Sequence, residues 1–134
     1  VYAVDPAMFG AFSPASALDQ GQRLETAVFN ALRRRTPAVR IGSVCRLLIK
    51  EKSKSHEVDF VAGDALLMRA YSLIQVSVDM ASEKTREREI AALDASMAQF
   101  DLGESAIVTM DEQADIPCEH GVVHVVPAWK WLLA

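Results

Sequence analysis

The chain predicts an α/β fold, a mixed β-sheet flanked by helices, on three observations. Two segments repeat apolar residues at helical spacing, Leu24, Ala27, Val28, Ala31 and Leu32 in one and Ile90, Leu93, Met97 and Phe100 in the other. Short strand-like runs stand between and after them, rich in β-branched residues. The second helical segment separates two such runs, as a parallel crossover requires. With 134 residues, 51% hydrophobic and 24% charged, one core is expected, so residues 1–134 are read as a single domain.

Tyr2 and Val4 read as an opening strand, and Asp5, Pro6, Gly10, Ser13 and Pro14 then punctuate a loop. The first helix is expected over residues 20–35, ending on Arg33, Arg34 and Arg35, whose charges complement the negative end of its dipole. Residues 44–50 and 57–61 read as a hairpin joined by a charged turn, and Gly63-Asp64 breaks the pattern. A loop or bulged strand then leads into a buried strand over residues 73–78.

Ser82 is the expected N-cap of the second helix, and Gly103 its stop. Its charge-rich stretch, residues 83–89, is assigned to the exposed side. Residues 106–110 and 122–126 predict two more strands around an acidic loop at 111–121, and Pro127 opens a short last helix. Trp129 is expected to be buried as that helix docks. No internal repeat or low-complexity tract is found.

Composition excludes several functions. A formal charge of −4 and a pI near 5.3 offer no global attraction to nucleic acid or to an anionic membrane. Arg33, Arg34, Arg35, Arg40, Lys50, Lys52 and Lys54 could supply only a local basic patch, and helix capping and solvated turns explain each of them singly. Cys45 and Cys118 lack metal-ligand spacing and read as buried free thiols; His120 and His124 straddle Gly121, so no zinc site is expected. No apolar run crosses a bilayer uninterrupted, which makes the cytoplasm the expected compartment. A P-loop is missing as well. The start at Val1 suggests a piece of something longer, with the rest upstream.

Chemistry concentrates on Ser55-His56-Glu57-Val58-Asp59-Phe60 and Leu73-Ile74-Gln75-Val76-Ser77-Val78. Strand alternation places Glu57 and Asp59 on one face and Val58 and Phe60 on the other, with Gln75 and Ser77 sharing a face with Leu73. A carboxylate on a largely apolar strand needs a cation, a metal or substrate chemistry. If the strands pair, Asp59, Gln75 and Glu57 gather with Glu25 from the first helix, an oxygen set of the kind Mg²⁺ or Mn²⁺ prefers. The plainer alternatives are an ion pair of Asp59 with Arg23 or Lys54, a surface pair of Glu25 with Arg23, and a Gln75 that satisfies buried backbone groups. His56 reads as a turn-flanking residue.

This order, a helix Glu, a strand Asp and a polar-x-polar strand before a helix, resembles the PD-(D/E)xK nuclease superfamily, with Glu25, Asp59, Gln75 and Ser77 carrying the match. Gly21-Gln22-Arg23-Leu24-Glu25, Leu32-Arg33-Arg34-Arg35 and His56-Glu57-Val58-Asp59-Phe60-Val61 look like the uncharacterised nuclease-like domain at the carboxyl end of bacterial and archaeal AAA+ ATPases. Tyr2-Ala3-Val4-Asp5-Pro6, Glu83-Lys84-Thr85-Arg86-Glu87-Arg88-Glu89-Ile90 and Pro127-Ala128-Trp129-Lys130-Trp131 are similar to further segments of it, so the resemblance spans nearly the whole chain.

The resemblance implies a restriction-endonuclease-like core, with Glu25, Asp59 and Gln75 as metal residues for Mg²⁺ or Mn²⁺ and Ser77 at the fourth catalytic position. It implies an upstream ATPase module as partner, and DNA or RNA as substrate if the site is active. Two positions depart from the pattern. Gln75 stands where a carboxylate is usual and Ser77 where a lysine is usual, and a hydroxyl supplies no cation. A degenerate accessory domain is therefore the favoured expectation. An active nuclease, with Lys84, Arg86 or Arg88 replacing the lysine, and a non-catalytic nucleic-acid-binding module are the alternatives.

Overall fold

The apolar repeat of the first helical segment folds as α1 (Ala17–Arg35), burying Leu24, Val28, Ala31 and Leu32 and leaving Arg33, Arg34 and Arg35 exposed in the last turn. The computed structural model describes residues 2, 4–5, 17–35, 44–51, 54–64, 66–67 and 69–134. After α1 come β1 (Val44–Glu51), β2 (Lys54–Asp64), β3 (Arg69–Val76), α2 (Glu83–Phe100), β4 (Glu104–Thr109), β5 (Ala114–Pro117), β6 (Val122–Pro127) and α3 (Ala128–Leu133). The strands form one six-stranded sheet in the order β1-β2-β3-β4-β6-β5. Its first three strands are antiparallel, β3, β4 and β6 run parallel, and β5 returns antiparallel on β6. The sheet is mixed, and α2 is the expected crossover between β3 and β4.

Two apolar clusters cover this sheet. Leu93 and Met97 of α2, both fully buried, pack with Val58, Leu73, Ile107 and Val123, while Leu24, Val28 and Leu32 of α1 and Ala128 of α3 pack with Phe60, Ile74 and Val108. Burying a side chain such as Leu93 contributes about 1.5–3 kcal/mol. Ser82 caps α2 by accepting from the Thr85 N–H at 3.4 Å. The helix ends at Asp101, which takes the left-handed conformation (φ 54°, ψ 48°) that a short polar residue tolerates, two residues before the expected glycine. No helix among the described residues is long and apolar enough to cross a membrane.

Several expectations are corrected. Tyr2 lies in coil and Val4 and Asp5 in a bend, so none of these described residues belongs to the expected opening strand; the loop positions Pro6, Gly10, Ser13 and Pro14, like Arg40 and Lys52, lie outside the described residues. β2 continues to Asp64, with the expected break at Gly63-Asp64 taking the form of a register shift against β3 between Ala62 and Gly63, and β3 begins earlier and ends earlier than residues 73–78. The acidic loop holds β5, a strand short enough to escape periodicity. Glu89, assigned to the exposed side of its helix, is buried at 6% exposure. Trp129 is exposed, and Trp131 packs instead, beneath the Arg35 guanidinium at 4.3 Å from its ring centre. Cys45 is exposed and Cys118 half-buried, both as free thiols.

The correction that matters for the site is a bulge. Leu47 faces Val58 but Cys45 faces Val61, so Arg46 stands opposite two residues, Asp59 and Phe60. The extra residue resets the alternation of β2. Val58 joins the α2-side cluster while Phe60 joins the α1-side cluster, which separates two side chains expected on one face.

Candidate functional site

Where β2 and β3 separate beyond the Phe60–Ile74 pair, side chains take over from the strand ladder. The Asp59 N–H donates to Gln75 Oε1 at 3.0 Å, and the Val76 N–H donates to Asp59 Oδ2 at 2.9 Å. α1 supplies Glu25 and α2 supplies Arg88 and Glu89 to the same gap. The result is a cleft of about 440 Å³, lined among others by Glu25, His56, Glu57, Asp59, Gln75, Arg88 and Glu89. A second hollow of about 400 Å³ between Leu32, Ala62, Ile74 and Trp131 contains none of the predicted site residues.

Three of the four predicted residues, Glu25, Asp59 and Gln75, thus meet at one cleft. Ser77 is not among its lining residues, and its hydroxyl donates to the Asp79 carbonyl at 2.7 Å. His56 faces the cleft from within β2 rather than flanking a turn. Arg88 is the one member of the helix-two cation group Lys84, Arg86 and Arg88 in the cleft lining, and its Nη2 donates to Glu89 Oε1 at 2.6 Å. That hydrogen bond holds the Arg88 pKa above its ordinary value.

Sequence reasoning missed Arg46. Its Nη2 lies 2.9 Å from Glu25 Oε1 and 3.8 Å from Asp59 Oδ1, while its Nη1 lies 3.1 Å from Glu57 Oε1. One guanidinium therefore spans the three carboxylates; no ion pair of Arg23 with Asp59 is found among the described residues, and the side chain of Lys54, the other partner expected, lies outside them. Burial works against this charge, yet Glu25, Tyr2, Glu57 and Asp59 together hold the Arg46 pKa above its ordinary value. Tyr2 closes the group from another side by donating to Glu25 Oε1 at 2.6 Å while stacking on Phe29. Burial and the Glu25 hydrogen bond push its phenol up to about 12.

The Asp59 carboxyl is displaced from its ordinary range. Burial raises it from 3.8 to about 6; the Val76 N–H pulls down, Glu25 pushes up, Arg46 pulls down and Glu89 pushes up. Buried Glu89 adds negative potential that its position in a charge-rich run concealed.

As arranged, these donors do not suit a divalent metal. Mg²⁺ and Mn²⁺ need free carboxylate or amide oxygens converging on one point, but Glu25 Oε1 and Asp59 Oδ1 turn to Arg46, Asp59 Oδ2 to a backbone N–H and Gln75 Oε1 to another. Asp94, Glu119 and His120 do bring ligand atoms within 4.8 Å of one another. Two hydrogen bonds account for the approach of Asp94 and His120, since Asp94 accepts from the His120 backbone N–H at 2.9 Å and faces its ring Nδ1 at 3.1 Å. His124 pairs separately with Asp115 at 2.7 Å.

No protein-family model matches the chain, and neither a curated protein nor a solved structure does. The geometry of the cleft therefore carries the functional argument.

Proposed function

We propose that the chain is a nuclease-fold accessory or regulatory domain of an AAA+ ATPase-type protein, with a PD-(D/E)xK core that no longer cleaves nucleic acid efficiently. One observation carries this reading: the two polar positions of the last motif are spent on the backbone. Gln75 holds the Asp59 N–H and Ser77 holds the Asp79 carbonyl, so neither offers charge to a scissile phosphate. Among the described residues, no lysine lines the cleft. Losing one preorganised charge-stabilising donor costs about a hundredfold or more in rate. The order of α1, antiparallel β1, β2 and β3, crossover α2 and parallel β4, with Glu25 and Asp59 on one cleft, supports the resemblance in architecture.

Arg88 favours a second reading, an active Mg²⁺- or Mn²⁺-dependent nuclease in which this cation replaces the lysine. It lines the cleft and is close enough to Asp59 to feel its charge. Incubating the chain with single- and double-stranded DNA and RNA and either metal decides between them. No cleavage is expected. Metal-dependent cutting that disappears in Asp59→Ala would overturn the degenerate reading.

A further inference from the structure

We infer that Arg46 is a tethered cation that stands in for the divalent metal of this cleft, holding Glu25, Glu57 and Asp59 together and excluding Mg²⁺ or Mn²⁺ until it is displaced. The inference rests on the proposed reading of the cleft and deepens it by naming what regulates cation access.

Geometry carries the argument. A metal in this cleft would have to draw oxygens from the first helix and the second strand to one point, and the Arg46 fork already does so from the edge strand. Its rigid planar donors match several carboxylates at once, which a single ammonium would not. The bulge at Asp59 and Phe60, opposite Arg46, is what sets Arg46 against the carboxylates. Two positive charges could not share the space, so metal and guanidinium exclude each other.

Displacement is open to this side chain. Arg46 is 52% exposed on a strand at the edge of the sheet, and its contact with Asp59 is the loose one at 3.8 Å. Rotating outward would release oxygens of Glu25, Glu57 and Asp59 without disturbing the two hydrogen bonds that join Asp59, Gln75 and Val76.

Mn²⁺ titration by calorimetry at pH 7.5, on the wild type, Arg46→Met, Arg46→Lys and Arg46→Met with Asp59→Asn, tests this. Arg46→Met should bind one Mn²⁺ at least about tenfold more tightly than the wild type. Arg46→Lys, which keeps a tethered charge, should fall between the two, and the double variant should lose the gain. Equal affinity in the wild type and Arg46→Met, or a gain that survives Asp59→Asn, would overturn the inference. Should Arg46→Met fail to fold, the Arg46 Nε–H resonance of the wild type carries the test. Mg²⁺ should shift it as the guanidinium leaves, and an unmoved resonance would refute displacement. Nucleic-acid cleavage by the wild type would refute only the degenerate reading, so the two failures are distinguishable.

Discussion

Replacing Asp59 by Asn should stabilise the fold at neutral pH, and by an amount that depends on pH. The carboxylate is raised from 3.8 to about 6 in the folded chain, with burial as the leading cause. A raised acid pKa means that the native state binds the proton more tightly than the unfolded state. Stability from this group is greatest below pH 4, is lost as pH rises from about 4 to about 6, and stays lost above that. The gap of a little over two pH units, at about 1.4 kcal/mol each, corresponds to about 3 kcal/mol. Asn keeps an acceptor for the Val76 N–H and carries no charge, although it gives up the 3.8 Å attraction to Arg46. Since one side of the cleft is open to solvent, about 2 kcal/mol is the expected gain at pH 7.5. Urea unfolding of both proteins at pH 4, 5, 6 and 7.5 measures it. The advantage of Asn over Asp should grow between pH 4 and 6 and then level off. A difference that is flat with pH, or that shrinks as pH rises, would refute the buried-carboxylate reasoning.

Two further substitutions test the scaffold. Leu93→Ala removes a fully buried side chain at the centre of the α2-side cluster and should cost about 2–5 kcal/mol by denaturant unfolding; a loss below 1 kcal/mol would mean the cluster is not packed as described. Gly121→Ala would drive a Cβ into the Gly103 carbonyl, at the point where the Val122 N–H donates to that same oxygen at 3.0 Å. Overpacking of this kind costs about 1–3 kcal/mol, visible as a lowered Tm, and an unchanged Tm would place the two glycines further apart.

How much of the fold was legible follows from what each element is made of. α2 was readable because its cap and its apolar stripe act locally: Ser82 meets Thr85, and Leu93 and Met97 point the same way. Leu24, Val28 and Leu32 marked α1 by the same logic. β5 was hidden because four residues of alternating exposure, Ala114–Pro117, are too few to distinguish a strand from an acidic loop, and only pairing with β6 makes them one. Trp129 turns outward against expectation because a six-residue helix has no period long enough to fix which side docks.

The site was legible to the extent that its residues sit where single elements put them. Asp59, Gln75 and Glu25 were found because a carboxylate and an amide stand out within apolar strands, and because the resemblance selects that helix glutamate. Arg46 was not findable this way. In Val44-Cys45-Arg46-Leu47-Leu48-Ile49 it looks like the outward residue of an edge strand, and what aims it at Asp59 is a register slip between two strands, a property of the pair and not of either sequence. Glu89 was hidden for a related reason. Within Glu83-Lys84-Thr85-Arg86-Glu87-Arg88-Glu89 nothing marks one glutamate as buried, and only the Arg88 bond and the packing of α2 against the sheet make its burial tolerable. Anions on α1 and β2 could be read as waiting for a cation. Which cation answers them depends on a bulge, and that is why the same carboxylates that suggest a metal site in the sequence hold an arginine in the folded chain.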